Sequence, residues 1–389
     1  MNKLIRSAIL KIVSKSDALR RANNIRSQKR YIAQVFPESE ILKAESGEAE
    51  RKRFFDACFA ARPQQLQRSQ EEVLSFAKRN HLSLDEEIQK DLLFCVLAYG
   101  ICPEEYFAYR FQEKDPPERR TFYSMRESLI DVYRMNDAID RTIFSDKINT
   151  YARFYDCFGR QAVAVTSPAD EEAVLAFLAD KTEIVKKDAA GEVGRGVELL
   201  PSEVWKGREK TFFRELLQEG RILLEERIHQ SGAMACFNDS SVNTVRLISY
   251  YTCNGVIVPF CFLKTGRKGS FIDNGGAGGI LCGIDPERGV LNTDGYTELG
   301  LRFERHPDSG AKFCGTPIPD FQDALVLCKK LSERTPRVKF IGWDFAHTEN
   351  GWVVVEGNSA SQLIGPQTTL QKGLKEEIQA ILQSMDLII

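Results

Sequence analysis

Residues 341–367, IGWDFAHTENGWVVVEGNSASQLIGPQ, carry the pattern that decides how this chain is read. An apolar run containing Asp344 is followed by the polar turn Glu349-Asn350-Gly351, then by a second apolar run ending in Glu356-Gly357-Asn358. Asn-Gly between two such runs is a strong hairpin signal, so the runs are expected to pair as antiparallel strands. The hairpin sets Asp344 near Glu356, and the period of two puts Glu356 and Asn358 on one face. Two carboxylates and an amide oxygen are hard ligands, suited to a magnesium ion that keeps its waters and grips nucleotide phosphates. Taken alone, the stretch reads equally well as an exposed hairpin with solvated acids.

Three stretches upstream add to it. In EIVKKDAAGEVGRGVELL, residues 183–200, a β-branched strand delivers Lys186 into a loop with Gly191, Gly194 and Gly196. Glycines let backbone amides approach phosphate oxygens, and a lysine at a strand end supplies a point charge. The loop is neither a Walker A motif nor a dinucleotide fingerprint, and by itself is weak evidence of phosphate binding. RILLEERIHQ, residues 221–230, is an apolar strand leading into Glu225-Glu226-Arg227-Ile228, which could offer backbone groups and a carboxylate to an adenine edge or simply end in charges. SVNTVRLISYY, residues 241–251, places Asn243 and Arg246 on or beside a strand. Arg246 offers a forked donor set for a phosphoryl or acyl-phosphate oxygen, or pairs with a surface acid.

Working outward, residues 1–140 read as helical. EEVLSFAKRN, LDEEIQKDLLFCVLAYG and SMRESLIDVYRMNDAI repeat apolar residues three and four apart, and Pro37, Pro63 and Pro116-Pro117 break them. The aromatics of PEEYFAYRF belong to a core. After residue 140 short strand-like runs alternate with glycine clusters and helical stretches, an α+β pattern with hairpins. With 389 residues the chain holds more than one core, and its formal net charge of -2 gives no field to recruit nucleic acid. The 10 cysteines contain no C-x-x-C pair and read as reduced core residues. No run of about 18 apolar residues exists. Residues 1–30 place Leu4, Ile5, Ala8, Ile9, Ile12 and Val13 at helical spacing among basic residues. A terminal helix docked on its own domain or frayed is the favoured reading, and a basic amphipathic helix on an anionic membrane is the alternative.

In order, these features resemble the ATP-grasp superfamily, and in detail its sugar-transfer-associated, glutamate-ligase-like family. The resemblance spans residues 90–367, with the 341–358 hairpin and SVNTVR the most specific parts. It implies an α+β ATP-grasp fold whose two α+β subdomains sandwich ATP: a helical region at 1–140, an N-terminal lobe with a glycine flap at 141–222, and a C-terminal lobe with the metal site at 223–389. Carried over by position, Lys147 and Lys186 match the two phosphate-binding lysines, and residues 188–196 the flap over the triphosphate. Glu225 or Glu226, through Ile228, matches the adenine linker. Asp344, Glu356 and Asn358 match the magnesium ligands, and Arg246 an intermediate-binding arginine. Asn274 with Gly275–Gly279 resembles the loop facing the γ-phosphate and substrate. Lys187 departs from the pattern, standing where the family has proline.

The resemblance further implies an ATP- and Mg2+-dependent carboxylate–amine ligase acting through an acyl phosphate. Its association is with joining an amino acid or amine to a uronic-acid unit of surface polysaccharide, on a sugar nucleotide or lipid-linked glycan. The competing expectations are a ligase acting on a peptide or protein tail, and a nucleotide-binding partner subunit without turnover. The expected location is the cytoplasm, with residues 1–30 as a peripheral contact to the inner membrane face under the membrane reading.

Overall fold

The computed structural model describes Leu19, Ala22, Arg26 and residues 37–191, 196–269 and 278–387. The apolar positions 4–13 of the proposed membrane helix, Gly194, and Asn274 with Gly275 and Gly276 lie outside the described residues. Contacts divide the chain into two units, one made of Met1–Ala138, Tyr296–Arg302 and Gln362–Ile389, the other of Ile139–Gly295 and Phe303–Ser361.

In the first unit the helices α1 (Glu38–Ala44), α2 (Glu48–Ala61), α3 (Pro63–Arg79), α4 (Glu86–Tyr99), α5 (Pro103–Ala108), α6 (Pro116–Arg119) and α7 (Met125–Met135) follow one another. Pro63, Pro103 and Pro116 sit at first helical positions, where a missing N–H costs nothing. Asp85 caps α4 by accepting from Ile88 N at 2.8 Å. Tyr106, Tyr109 and Phe111 are buried in this unit's core, as their sequence context predicts. Glu105, fully buried, accepts from the backbone N–H of Cys102 and of Met125, both at 2.7 Å, and so ties the starts of α5 and α7. Gln367 joins the C-terminal segment to this core, accepting from Tyr123 N at 2.8 Å and donating to the Tyr109 hydroxyl at 2.9 Å.

The second unit begins with α8 (Lys147–Phe154) and holds two antiparallel sheets. The smaller has the order β1-β4-β2-β3, from β1 (Ala162–Val165), β2 (Glu183–Asp188), β3 (Val197–Pro201) and β4 (Ile222–Glu225). Helices α9 (Glu171–Leu178) and α10 (Glu209–Glu219) bury one of its faces, packing on Val165, Ile184, Ile222 and Leu224. After the short α11 (Gly232–Ala235) comes the larger sheet. Its strands are β5 (Thr244–Thr252), β6 (Gly255–Thr265), β7 (Ile280–Asp285), β8 (Val290–Tyr296), β9 (Arg302–Phe303), β10 (Phe340–Thr348) and β11 (Gly351–Asn358), in the order β11-β10-β5-β6-β7-β8-β9. One face packs on α12 (Phe321–Glu333) through Val245, Leu247, Cys261, Leu263, Ile341, Trp343 and Phe345. Trp343 anchors it, between Phe144 and Phe154 at centroid distances of 5.5 and 5.1 Å, its indole N–H bonded to Ser332 Oγ at 2.9 Å. The chain closes with α13 (Ile364–Leu370) and α14 (Lys375–Gln383). This is the α+β architecture expected, with the helical run first.

All 10 cysteines are free, but the expectation that they are core residues needs correction. Six are buried, Cys157 is intermediate, and Cys236, Cys253 and Cys314 are exposed. A thiol is small enough to be tolerated on a surface turn, so apolar neighbours in sequence are a weak guide to its burial.

Candidate functional site

The predicted hairpin forms, with one feature that sequence alternation does not supply. Thr348 pairs with Gly351 across the turn, and that register would set Asp344 opposite Val355. A bulge between Asp344 and Phe345 inserts one residue into β11, so Asp344 instead pairs with Glu356. Gly351 takes a positive φ of 100°, whereas Glu349 and Asn350 do not, the pattern of a turn closed by a glycine bulge.

Asp344 also pairs across to Arg246 on β5, so three neighbouring strands present Arg246, Asp344 and Glu356 side by side on the sheet face away from α12. Arg246 grips Asp344 with both arms of its fork, Nε to Oδ1 at 2.5 Å and Nη2 to Oδ2 at 2.6 Å. Lys264 on β6 adds a third bond to Oδ2 at 3.1 Å. Burial alone would raise the Asp344 carboxyl, but these two cations outweigh it and hold it well below the usual carboxylate range. Asn358 Nδ2 donates to Glu356 Oε1 at 3.1 Å, placing the amide beside the second acid. Gly342 makes room for the cluster, since a Cβ there would lie 2.2 Å from Ser361 Oγ and 3.2 Å from Arg246 Cδ. Among the described residues no group of three or more His, Cys, Asp or Glu could hold a metal; this set has two acids and an amide.

On the smaller sheet the two adjacent lysines part company. Lys186 pairs with Leu224 and Glu198, and so lies on the face covered by α9 and α10. There its ammonium meets Glu219 at 2.7 Å and Glu198 at 3.3 Å. Burial would lower its pKa, and the two glutamates reverse that and raise it. Lys187 points the other way and bonds Glu225 Oε2 at 2.8 Å. Burial pushes the Lys187 ammonium below its ordinary value, opposed by Glu225 and, more weakly, by Glu356 on β11. Arg160, missed by the sequence reading, also reaches Glu225 Oε2, through Nε at 2.9 Å and Nη2 at 2.7 Å. Glu225 is depressed by Arg160 and Lys187 against the opposing effect of its burial. Glu226 faces elsewhere, accepting from Gln161 N at 2.7 Å and pairing with Lys181 at 3.2 Å, so of the two acids only Glu225 shares a cluster with Lys187. Ile228, three residues on, is half-buried.

Lys147 opens α8, capped by Asp146, and its ammonium bonds the carbonyls of Asp188, at 3.2 Å, and Gly191 at the base of the glycine loop. Gly196 closes that loop with φ of 71° and its carbonyl 3.0 Å from Asp188 N. Any Cβ at Gly196 would come within 2.9 Å of Asp188 Cβ. Asn243 does not join the cluster: fully buried, it donates to Gln230 Oε1 and to the carbonyls of Met234 and Asn238, fixing the approach to β5.

The family described as sugar-transfer associated ATP-grasp matches residues 164–383, more than half of the chain and all of the strands that carry these clusters. The chain belongs to that family. No curated protein matches it. Among solved structures, this ATP-grasp chain is similar to the ADP complex of purK, N5-carboxyaminoimidazole ribonucleotide synthetase, at 13% identity and TM-score 0.39, covering 64% of this chain and 55% of that one. The ATP-grasp ligase PsnB complexed with minimal precursor is similar at 14% identity and TM-score 0.40, with 64% and 63% covered. D-alanyl-alanine synthetase A from Vibrio cholerae O1 biovar eltor str. N16961 is similar at 11% identity and TM-score 0.39, with 66% and 67% covered. The chain therefore spans less than two thirds of the length of the first two.

Proposed function

We propose that this ATP-grasp chain is an ATP- and Mg2+-dependent ligase that joins a carboxylate to an amine. The observation that carries the reading is the juxtaposition of Asp344, Glu356, Asn358 and Arg246 on one sheet face, with Lys187 of the other sheet within electrostatic reach of Glu356. The donor set fits the metal: Asp344, already deprotonated by its surroundings, Glu356 and the Asn358 amide oxygen are the hard oxygens that Mg2+ takes. When bound, Mg2+ supplies charge neutralisation at the β- and γ-phosphates.

The protein's own groups do the rest. Lys187, on the sheet face that carries Glu225 and within electrostatic reach of Glu356, takes the phosphate role that the sequence resemblance gave to Lys186, which meets Glu219 and Glu198 on the helix-covered face. Lys147 secures the glycine loop through its base, where Gly191 and Gly196 allow the backbone to approach a phosphate. Glu225 presents a carboxylate to the adenine amino group, beside the linker that runs to Ile228. In the reaction, a substrate carboxylate oxygen attacks the γ-phosphorus and ADP leaves, giving an acyl phosphate. An amine nitrogen then bonds the carbonyl carbon, phosphate departs and the amine loses a proton. Arg246 stabilises the oxygen on which charge builds at the carbonyl.

The substrate class we assign is a uronic-acid carboxylate and an amino acid or amine, in surface-polysaccharide synthesis on the cytoplasmic side. The family's description, sugar-transfer associated, supports it. Among the described residues no helix is long and apolar enough to cross a membrane. The test is ADP release from Mg-ATP with paired carboxylates and amines. Glu356→Ala should abolish the release, and release unchanged by that substitution would overturn the metal assignment.

A further inference from the structure

Arg160 follows Gly159, whose φ of 61° turns the chain so tightly that a Cβ there would lie 2.4 Å from Val353 Cγ1. From that position the guanidinium reaches both sheets of its unit. Nε and Nη2 bond Glu225 Oε2 on β4, while Nη1 bonds the carbonyls of Phe158 at 3.0 Å and Val354 at 2.6 Å, the latter on β11 two residues before Glu356. The ring of Phe158 lies 4.7 Å from the guanidinium carbon, and only 4% of the side chain is exposed. Each part of the fork is thus held in place by the protein.

The bonds are unevenly shared. Arg160 Nε, Arg160 Nη2 and Lys187 Nζ all converge on Glu225 Oε2, and among the described residues no donor meets Oε1. One oxygen is saturated and the carboxylate plane is fixed, which leaves the other as the unused acceptor. Stability alone is a poor explanation for such a cluster. Desolvating a carboxylate and two cations costs several kcal/mol per ion, and well-packed apolar side chains serve a core as well or better.

We propose that Arg160 is a positioning residue for the nucleotide: it locks Glu225, with Oε1 presented to the base, and registers it against the strand that carries Glu356. The inference rests on the nucleotide reading of this site. It is tested by calorimetric titration of Mg-ADP into wild type, Arg160→Ala, Arg160→Lys, Glu225→Gln and the double variant Arg160→Ala/Glu225→Gln, with urea midpoints measured alongside. Arg160→Ala should weaken Mg-ADP binding at least tenfold. Arg160→Lys, which keeps the charge but not the fork, should recover part of that. The double variant should bind no more weakly than the poorer single, because both act through one carboxylate. Folded Arg160→Ala that binds Mg-ADP within twofold of wild type would overturn the proposal and leave the nucleotide reading standing. If Arg160→Ala does not fold, Arg160→Lys decides, and wild-type affinity in it overturns the proposal. Wild type that binds no Mg-ADP would remove the nucleotide reading and this inference with it.

Discussion

Replacing Glu105 by glutamine should alter how the stability of the helical unit depends on pH. Glu105 is fully buried on α5, holding the backbone N–H of Cys102 and Met125, with the Tyr109 hydroxyl donating to it at 3.1 Å. Burial pushes its carboxyl up from 4.5 to about 7, against the opposing pull of these donors and of Arg126. That change corresponds to about 3 kcal/mol at roughly 1.4 kcal/mol per pH unit. Because the folded value is the higher one, the stability is fully present below the unfolded value near 4.5 and is lost as pH rises through about 7. Between pH 5 and pH 8 the wild type should therefore lose about 2.5 kcal/mol relative to Glu105→Gln, whose amide does not titrate. The three tryptophans, Trp205, Trp343 and Trp352, all lie in the other unit, so fluorescence would miss the effect. Hydrogen exchange at the α5 and α7 amides, in urea series at both pH values, reads it directly. Parallel pH curves for the two proteins, or a wild type that gains stability on that rise, would refute the argument.

Two further substitutions probe the site. Lys187→Ala should weaken Mg-ADP binding by tenfold or more while Lys186→Ala stays within about threefold, a contrast of at least 0.7 kcal/mol (about 1.4 kcal/mol being tenfold) readable by calorimetry. Equal losses would return the phosphate role to both lysines. Gly342→Ala drives a methyl into Ser361 and Arg246, so it should cost about 1–3 kcal/mol in urea unfolding and depress turnover through displaced Arg246. An unchanged urea midpoint would show that Ser361 moves aside freely.

Much of the site was legible because its residues lie on strands whose pattern is strong. The hairpin follows from two apolar runs around Asn350-Gly351, and Asp344 does pair with Glu356. The bulge that makes the pairing was hidden, because Val353-Val354-Val355 is apolar throughout and gives alternation no frame to slip against. That Lys186 and Lys187 face opposite ways was within reach. Ile184 is core, and parity puts Lys186 on its face and Lys187 on the other. Arg160 could not be found this way, since a lone arginine after a glycine gains meaning only once β4 and β11 bring Glu225 and Val354 to it. Lys264 is similar: its value lies in reaching Asp344 from two strands away. The helices of the first unit were read from period and proline, which act locally. Their ties through Glu105 and Gln367 were not, because those partners lie up to 258 residues apart.

Whether this chain uses ATP to join a carboxylate to an amine can be read in one assay. The most direct measurement supplies Mg-ATP with uronic-acid sugar nucleotides and pooled amino acids and amines, following ADP by coupled assay and product by mass spectrometry. ADP release should require both a carboxylate and an amine, with one amide bond formed per ADP and both lost in Glu356→Ala. ADP formed at the same rate whether or not either substrate is present, with no amide product, would rule out a ligase.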